Sequence, residues 1–120
     1  MCIRDRVVTA SGTATLETAI IGRPMVVIYK TGFLTYQIAR RLVRLDKIAL
    51  VNIVLGEKIV PELIQHKATA RSICDELDKY LLDRQHYDTV KSKLAAVPSL
   101  LGGIGASRRA AELVIECVER

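Results

Sequence analysis

The chain has 120 residues and a mass of 13.3 kDa, with half its residues hydrophobic, 26% charged and a formal charge of +5. That balance excludes a disordered tail, and a chain of this size can bury roughly two-thirds of its unfolded surface in one core without metals or disulfides. Four Tyr, one Phe and no Trp make the core aliphatic and leave too few aromatics for a base-stacking nucleic-acid platform, while the basic excess suits anionic partners.

Residues 1–6, Met-Cys-Ile-Arg-Asp-Arg, fit badly with the rest of the chain, resemble translated adapter sequence, and are set apart as a non-native leader; the chain stays basic without them. Val7 to Ala10 is a short β-prone run ending at Ser11-Gly12-Thr13. Ala14, Leu16, Glu17, Ala19 and Ile20 then form a helix, with Leu16, Ala19 and Ile20 on its inner face. Gly22 suits the helix end and Pro24 prevents continuation. The apolar run Met25 to Tyr29 has strand length and the character of a parallel strand buried on both faces. The first third therefore predicts one right-handed βαβ unit.

From Leu34 the spacing of Leu34, Ile38, Leu42 and Leu45 predicts a helix, with Arg40, Arg41 and Arg44 off its apolar stripe. These arginines and Lys47 suit an anionic lipid or phosphate, although a solvated helix face explains them more simply. Ile48 to Val51 is expected as a third short strand, followed by Asn52 and a turn at Gly56, and Pro61 is expected to open a short helix through Gln65. Thr69 is a predicted N-cap for a helix to about Leu82, with Ile73, Leu77, Tyr80 and Leu81 inward. A further helix runs from near Arg84 to Ala96, before Pro98. After the loop at Gly102-Gly103-Ile104-Gly105, a last helix turns Ala110, Leu113, Val114 and Cys117 to one apolar face.

The cysteines, Cys2, Cys74 and Cys117, are three and far apart, which fits neither a zinc site nor a disulfide framework and favours a reducing cytoplasm. Cys74 and Cys117 are expected as buried thiols, and His66 and His86 as surface residues. The longest stretch without a charge, Leu94 to Ser107, holds a proline and three glycines, and no secretory signal is visible, so no spanning helix is predicted. A chain that opens on a buried strand and then becomes helical reads as a fragment.

The strongest local feature is Thr9-Ala10-Ser11-Gly12-Thr13-Ala14-Thr15-Leu16-Glu17. It lies between a predicted strand and a helix start, at the carboxyl edge of a parallel sheet, where open α/β sheets bind ligands. The helix start offers unpaired N–H groups, Gly12 lets a phosphate approach the backbone, and Ser11 and Thr13 add hydroxyls. Glu17, one turn on, suits the vicinal hydroxyls of a ribose. An N-cap at Ser11 or Thr13 with a dipole-favoured Glu17 accounts for the local pattern equally well. Neither a Walker loop nor a Gly-x-Gly-x-x-Gly fingerprint is present.

The ordered set Ala10-Ser11-Gly12-Thr13-Ala14-Thr15-Leu16-Glu17, Pro24-Met25-Val26-Val27, Leu34-Thr35-Tyr36, Ala39-Arg40-Arg41-Leu42-Val43, Asn52, Gly56 and Val60-Pro61-Glu62-Leu63-Ile64-Gln65 resembles the C-terminal part of the lipid-A-disaccharide synthases. That resemblance covers nearly the whole chain from Val7. It implies a metal-free, cofactor-free glycosyltransferase of GT-B fold that moves 2,3-diacylglucosamine from UDP to 2,3-diacylglucosamine 1-phosphate, in a β-1,6 linkage, in lipid A biosynthesis. It further implies Ser11, Gly12 and Thr13 at the diphosphate, Glu17 at the ribose, Asn52 beside the nucleotide, and Gln65 near the donor sugar. Lys30, after the second strand, is a further donor-site candidate, and a loop lysine without a role explains it equally. The family reads Ser-Leu-Pro-Asn where this chain has Ala49-Leu50-Val51-Asn52.

The expected fold class is α/β: a partial Rossmann-like donor domain, with short parallel strands and then a helical C-terminal section. Residues 7–66 are the distal half of the nucleotide-binding domain and residues 67–120 its helical section. The catalytic base is expected on an N-terminal domain not in this chain, so the fragment alone is expected to be inactive. The implied protein is cytoplasmic, peripheral on the inner membrane, without nucleic acid, and a homodimer through exchanged C-terminal helices. Two alternatives stand beside this reading. One is another GT-B enzyme, a UDP-N-acetylglucosamine transferase or epimerase. The other is a non-catalytic oligomerisation or adaptor module.

Overall fold

The computed structural model describes residues 5–32, 47–103 and 105–118. Its centre is a parallel three-stranded sheet in the order β1 (Val7–Ala10), β2 (Met25–Tyr29), β3 (Glu62–Ile64). Val7 stands opposite Met25 and Ala10 opposite Ile28; on the other side Val27 faces Glu62 and Tyr29 faces Ile64. β2, between the other two strands, carries the buried triplet Met25, Val26 and Val27. Each such burial is worth about 1.5–3 kcal/mol, which is why the apolar run takes the middle place. β1 alternates half-buried with exposed, so Val8 and Ala10 face outward.

The helices are α1 (Thr13–Ile20), α2 (Leu50–Leu55), α3 (Ala70–Leu82), α4 (Arg84–Leu94), α5 (Val97–Leu100) and α6 (Ala106–Val118), with a 3-10 turn at Gln65–Lys67. α1 packs on β1 and β2 and meets α2 and α5, while α3 packs on β2 and carries α4. The α/β class, the βαβ opening and the helical carboxyl-terminal section are therefore as the sequence predicts. Thr69 is the N-cap of α3, its hydroxyl accepting the Ser72 N–H at 3.1 Å. The helix expected from Leu34, with Arg40, Arg41 and Arg44, lies outside the described residues.

Three expectations need correction. Ile48–Val51 is not the third strand: Leu50 and Val51 begin α2, and β3 forms at Glu62–Ile64, where the sequence predicts a short helix after Pro61. Pro61 lacks an N–H but still accepts from Val27 N at 2.9 Å, so it leads into a ladder as readily as into a helix. Ile20 and Leu81, expected inward, are about half exposed, and Thr15 takes the buried place beside Ala19 in α1. The helix from Arg84 ends at Leu94, before Pro98 as expected, and Pro98 lies in the first turn of the separate α5, where a missing N–H costs nothing. Cys74 and Cys117 are exposed rather than buried.

Asp5 and Arg6, within the expected leader, make specific contacts. Arg6 donates through Nε and Nη2 to the Tyr80 carbonyl at 3.3 and 3.0 Å, and its guanidinium lies 5.0 Å from the centre of the Tyr87 ring. Asp5 pairs with Arg23 at 2.9 Å, and its carbonyl accepts from the Tyr87 hydroxyl at 3.3 Å.

Candidate functional site

Three strand exits meet at the carboxyl edge of the sheet: Ser11–Thr13 after β1, Lys30–Gly32 after β2, and Gln65 after β3. Parallel strands of this order bring those loops together whatever their sequences, and the residues then decide the chemistry.

The first exit turns on Gly12. Its backbone, at φ 143 and ψ −162, lies in a region open almost only to glycine, and a side chain there would meet nothing within 4 Å. The glycine thus serves conformation, and the space in front of it is open. The chain enters from Ser11, whose N–H is held by the Ile28 carbonyl at 2.9 Å, and leaves directly into α1. No side chain caps this helix. Instead Thr15, buried behind the turn, donates its hydroxyl to the Gly12 carbonyl at 2.8 Å, with its N–H on the same oxygen at 3.2 Å.

The backbone N–H groups of Gly12, Thr13 and Ala14 find no acceptor among the described residues. Unpaired donors at the positive end of a helix form a ready anion site. Thr13 and Glu17 are one turn apart on one exposed face of α1, and the Glu17 carboxylate makes no hydrogen bond or ion pair among the described residues. The N-cap reading of Ser11 and Thr13 therefore does not describe this helix, and among the described residues a partnerless carboxylate shares α1 with a row of partnerless donors.

Lys30 is exposed and likewise unpaired among the described residues. Gln65 is half-buried, and both ends of its amide are turned to Thr31: Oε1 accepts from Thr31 N at 3.2 Å and Nε2 donates to Thr31 O at 3.0 Å.

Asn52 is fully buried in α2, and its side chain is used up internally. Nδ2 donates to the Val60 carbonyl at 2.9 Å and to Glu62 Oε1 at 2.8 Å, while Oδ1 accepts from Ile59 N and Val60 N at 2.9 and 3.0 Å. An amide has two donor hydrogens and two lone pairs, so none is left for a ligand. Sequence alone gives no role to Glu62, which completes this network. Its carboxylate accepts from Ile48 N and Ala49 N, both at 3.0 Å, and so closes the start of α2. No local signal marks it, because its partners lie 10 to 14 residues away.

Among the described residues no three His, Cys, Asp or Glu come together as a metal site, and no helix is long and apolar enough to cross a membrane.

Comparison with known proteins gives a consistent result. The family model described as lipid-A-disaccharide synthetase matches residues 1–114. The chain is 47% identical over 116 residues to the lipid-A-disaccharide synthases of Geobacter metallireducens and Geobacter sulfurreducens, covering 97% of this chain and 30% of each relative. It is 44% identical over 119 residues to that of Nitrosococcus oceani, covering 99% of this chain and again 30% of the relative. The chain thus spans about a third of the length of the relatives it matches.

Proposed function

The chain belongs to the lipid-A-disaccharide synthetase family, and from that premise we propose that it is the UDP-binding part of a glycosyltransferase of lipid A biosynthesis. The reaction is transfer of 2,3-diacylglucosamine from UDP to 2,3-diacylglucosamine 1-phosphate, with a β-1,6 bond formed and UDP released. One observation carries the reading. The uncapped start of α1, with Gly12 open in front of it, shares its helix with the carboxylate of Glu17, which is unpaired among the described residues.

In this reading the N–H groups at Gly12, Thr13 and Ala14, unpaired among the described residues, receive the diphosphate together with the Ser11 and Thr13 hydroxyls. They would stabilise the charge that gathers on UDP as the bond to the sugar breaks. Glu17 accepts from the ribose hydroxyls. Lys30 supplies a cation near the leaving group. Asn52 serves the site indirectly, by joining α2 to β3, the strand that leads into Gln65. The acceptor hydroxyl attacks from the face opposite UDP, its proton taken by a base outside this chain. Contact with the inner membrane and pairing of two copies belong to the same proposal.

The test is UDP titration by calorimetry. The protein is a full-length enzyme in which this chain replaces its counterpart in the Geobacter metallireducens relative. Losing a charged acceptor should weaken UDP by roughly tenfold or more in Glu17→Ala, since hydrogen bonds to charged groups are worth about 1.5–3 kcal/mol. Equal UDP affinity in the variant would remove the ribose role. No UDP binding by the unmutated graft would defeat the donor-site reading and favour an adaptor.

A further inference from the structure

Gln65 combines two features that its place at the end of β3 does not require. It is the only residue other than glycine with positive φ among the described residues, at 53°. That left-handed conformation is disfavoured for a side chain of this kind. Its amide also bridges to Thr31 at two points, through Oε1 and Nε2.

The register explains what the bridge does. The β2–β3 ladder ends at the pair Tyr29 and Ile64. Beyond it the two backbones part, since Gln65 turns into a 3-10 helix. The Gln65 side chain then takes the place of a backbone peptide, accepting from Thr31 N–H and donating to Thr31 C=O. The ladder is carried one step further by a side chain, and the exit from β2 is held at Thr31. Lys30 lies between that anchor and the last paired residue of the strand, so its backbone is held on both sides.

We infer that Gln65 is a positioning residue: it acts through Thr31 to hold the Lys30 loop beside the anion-binding start of α1, rather than touching the donor sugar. The inference rests on the proposal that this edge of the sheet binds UDP. The unfavourable φ supports it, because the amide reaches Thr31 from a backbone conformation that the chain adopts at a cost.

The grafted full-length enzyme separates this role from sugar contact. Gln65→Ala removes the bridge but keeps the unfavourable backbone. Gln65→Gly removes the bridge and relieves the backbone, so it guards against simple misfolding. A residue that positions the diphosphate loop affects UDP and UDP-sugar alike. Both variants should bind UDP about tenfold more weakly, as expected for loss of two neutral hydrogen bonds, with UDP-2,3-diacylglucosamine weakened by the same factor. The donor KM should rise in parallel while kcat changes less than about threefold. Unchanged UDP affinity in Gln65→Gly, with loss confined to the UDP-sugar or to kcat, would show sugar contact and overturn the inference. A lower melting temperature with UDP affinity intact would overturn it as well. Failure of the donor-site reading looks different, because the unmutated graft would then not bind UDP.

Discussion

Asn52 and Glu62 show how one polar pair organises the region behind the site. Their side chains tie together the start of α2, the turn at Ile59–Val60 and β3. Both are buried, and no buried side-chain nitrogen or oxygen among the described residues lacks a partner. Such a network stabilises while complete and becomes costly when one member is removed, because each orphaned buried group keeps its desolvation penalty. Asn52→Ala strands the Val60 carbonyl, two N–H groups and one bond to Glu62. It is expected to lower stability by about 3 kcal/mol or more in urea melts. Glu62→Gln keeps the shape but sets an NH2 group against N–H donors, with an expected cost of about 1–3 kcal/mol. Near-neutral melts for both would mean that water or an altered loop satisfies these groups.

At the scale of elements, Tyr80 joins α3 to the sheet. Its ring is buried, it stacks on His86 at 5.3 Å, and its hydroxyl donates to the Met25 carbonyl at 3.2 Å. Burial, with a smaller contribution from the Glu76 carboxylate, pushes this phenol well above its ordinary range. A phenol that holds its proton more tightly when folded contributes stability that is whole below the unfolded value near pH 10 and is lost as pH climbs above it. Tyr80→Phe should therefore cost about 1 kcal/mol at pH 7, for the lost hydrogen bond. It should also flatten the fall in urea midpoint between about pH 10 and pH 11 relative to the unmutated protein. Parallel curves for the two proteins over that window would remove Tyr80 as the alkaline trigger.

What is legible in the sequence divides along the same line, between local and distant causes. The Thr69 cap, the glycine between β1 and α1, and the buried run of β2 each depend on neighbours in sequence, and each forms as predicted. The third strand is misplaced by sequence reading because Ile48–Val51 and Glu62–Ile64 are both short and mostly apolar. What separates them is Glu62, whose carboxylate closes α2 only after the chain has returned to the sheet. Gln65 is visible as part of a motif, but its bridge to Thr31 spans 34 positions and leaves no pattern to read. Asn52 belongs to the same ordered set, and its inward orientation depends on partners seven to ten residues away that spacing alone does not reveal.

For the whole molecule, the decisive fact is where α6 stands. The described chain has a radius of gyration of 17.3 Å, against about 13.5 Å for a compact chain of this length. Every described residue of α6 is exposed, including Leu113, Val114, Ile115 and Val118. The Arg108–Glu112 pair marks a polar side at 2.9 Å, while Ala110, Leu113, Val114 and Cys117 recur at the spacing of an apolar stripe. A helix of this pattern gains most of its stability by burying that stripe, and isolated helices of about 12–15 residues are marginal in water. The homodimer within the proposed function meets that need if the helices of two copies cover one another. Sedimentation of the grafted enzyme should then give a dimer, and Leu113→Glu with Val114→Glu should shift it to monomer by placing two charges in the contact. UDP affinity should stay unchanged, because no residue of α6 is among those proposed to bind UDP. An unmutated graft that sediments as a monomer, with α6 protected from hydrogen exchange, would assign the cover to the same polypeptide and end the dimer proposal.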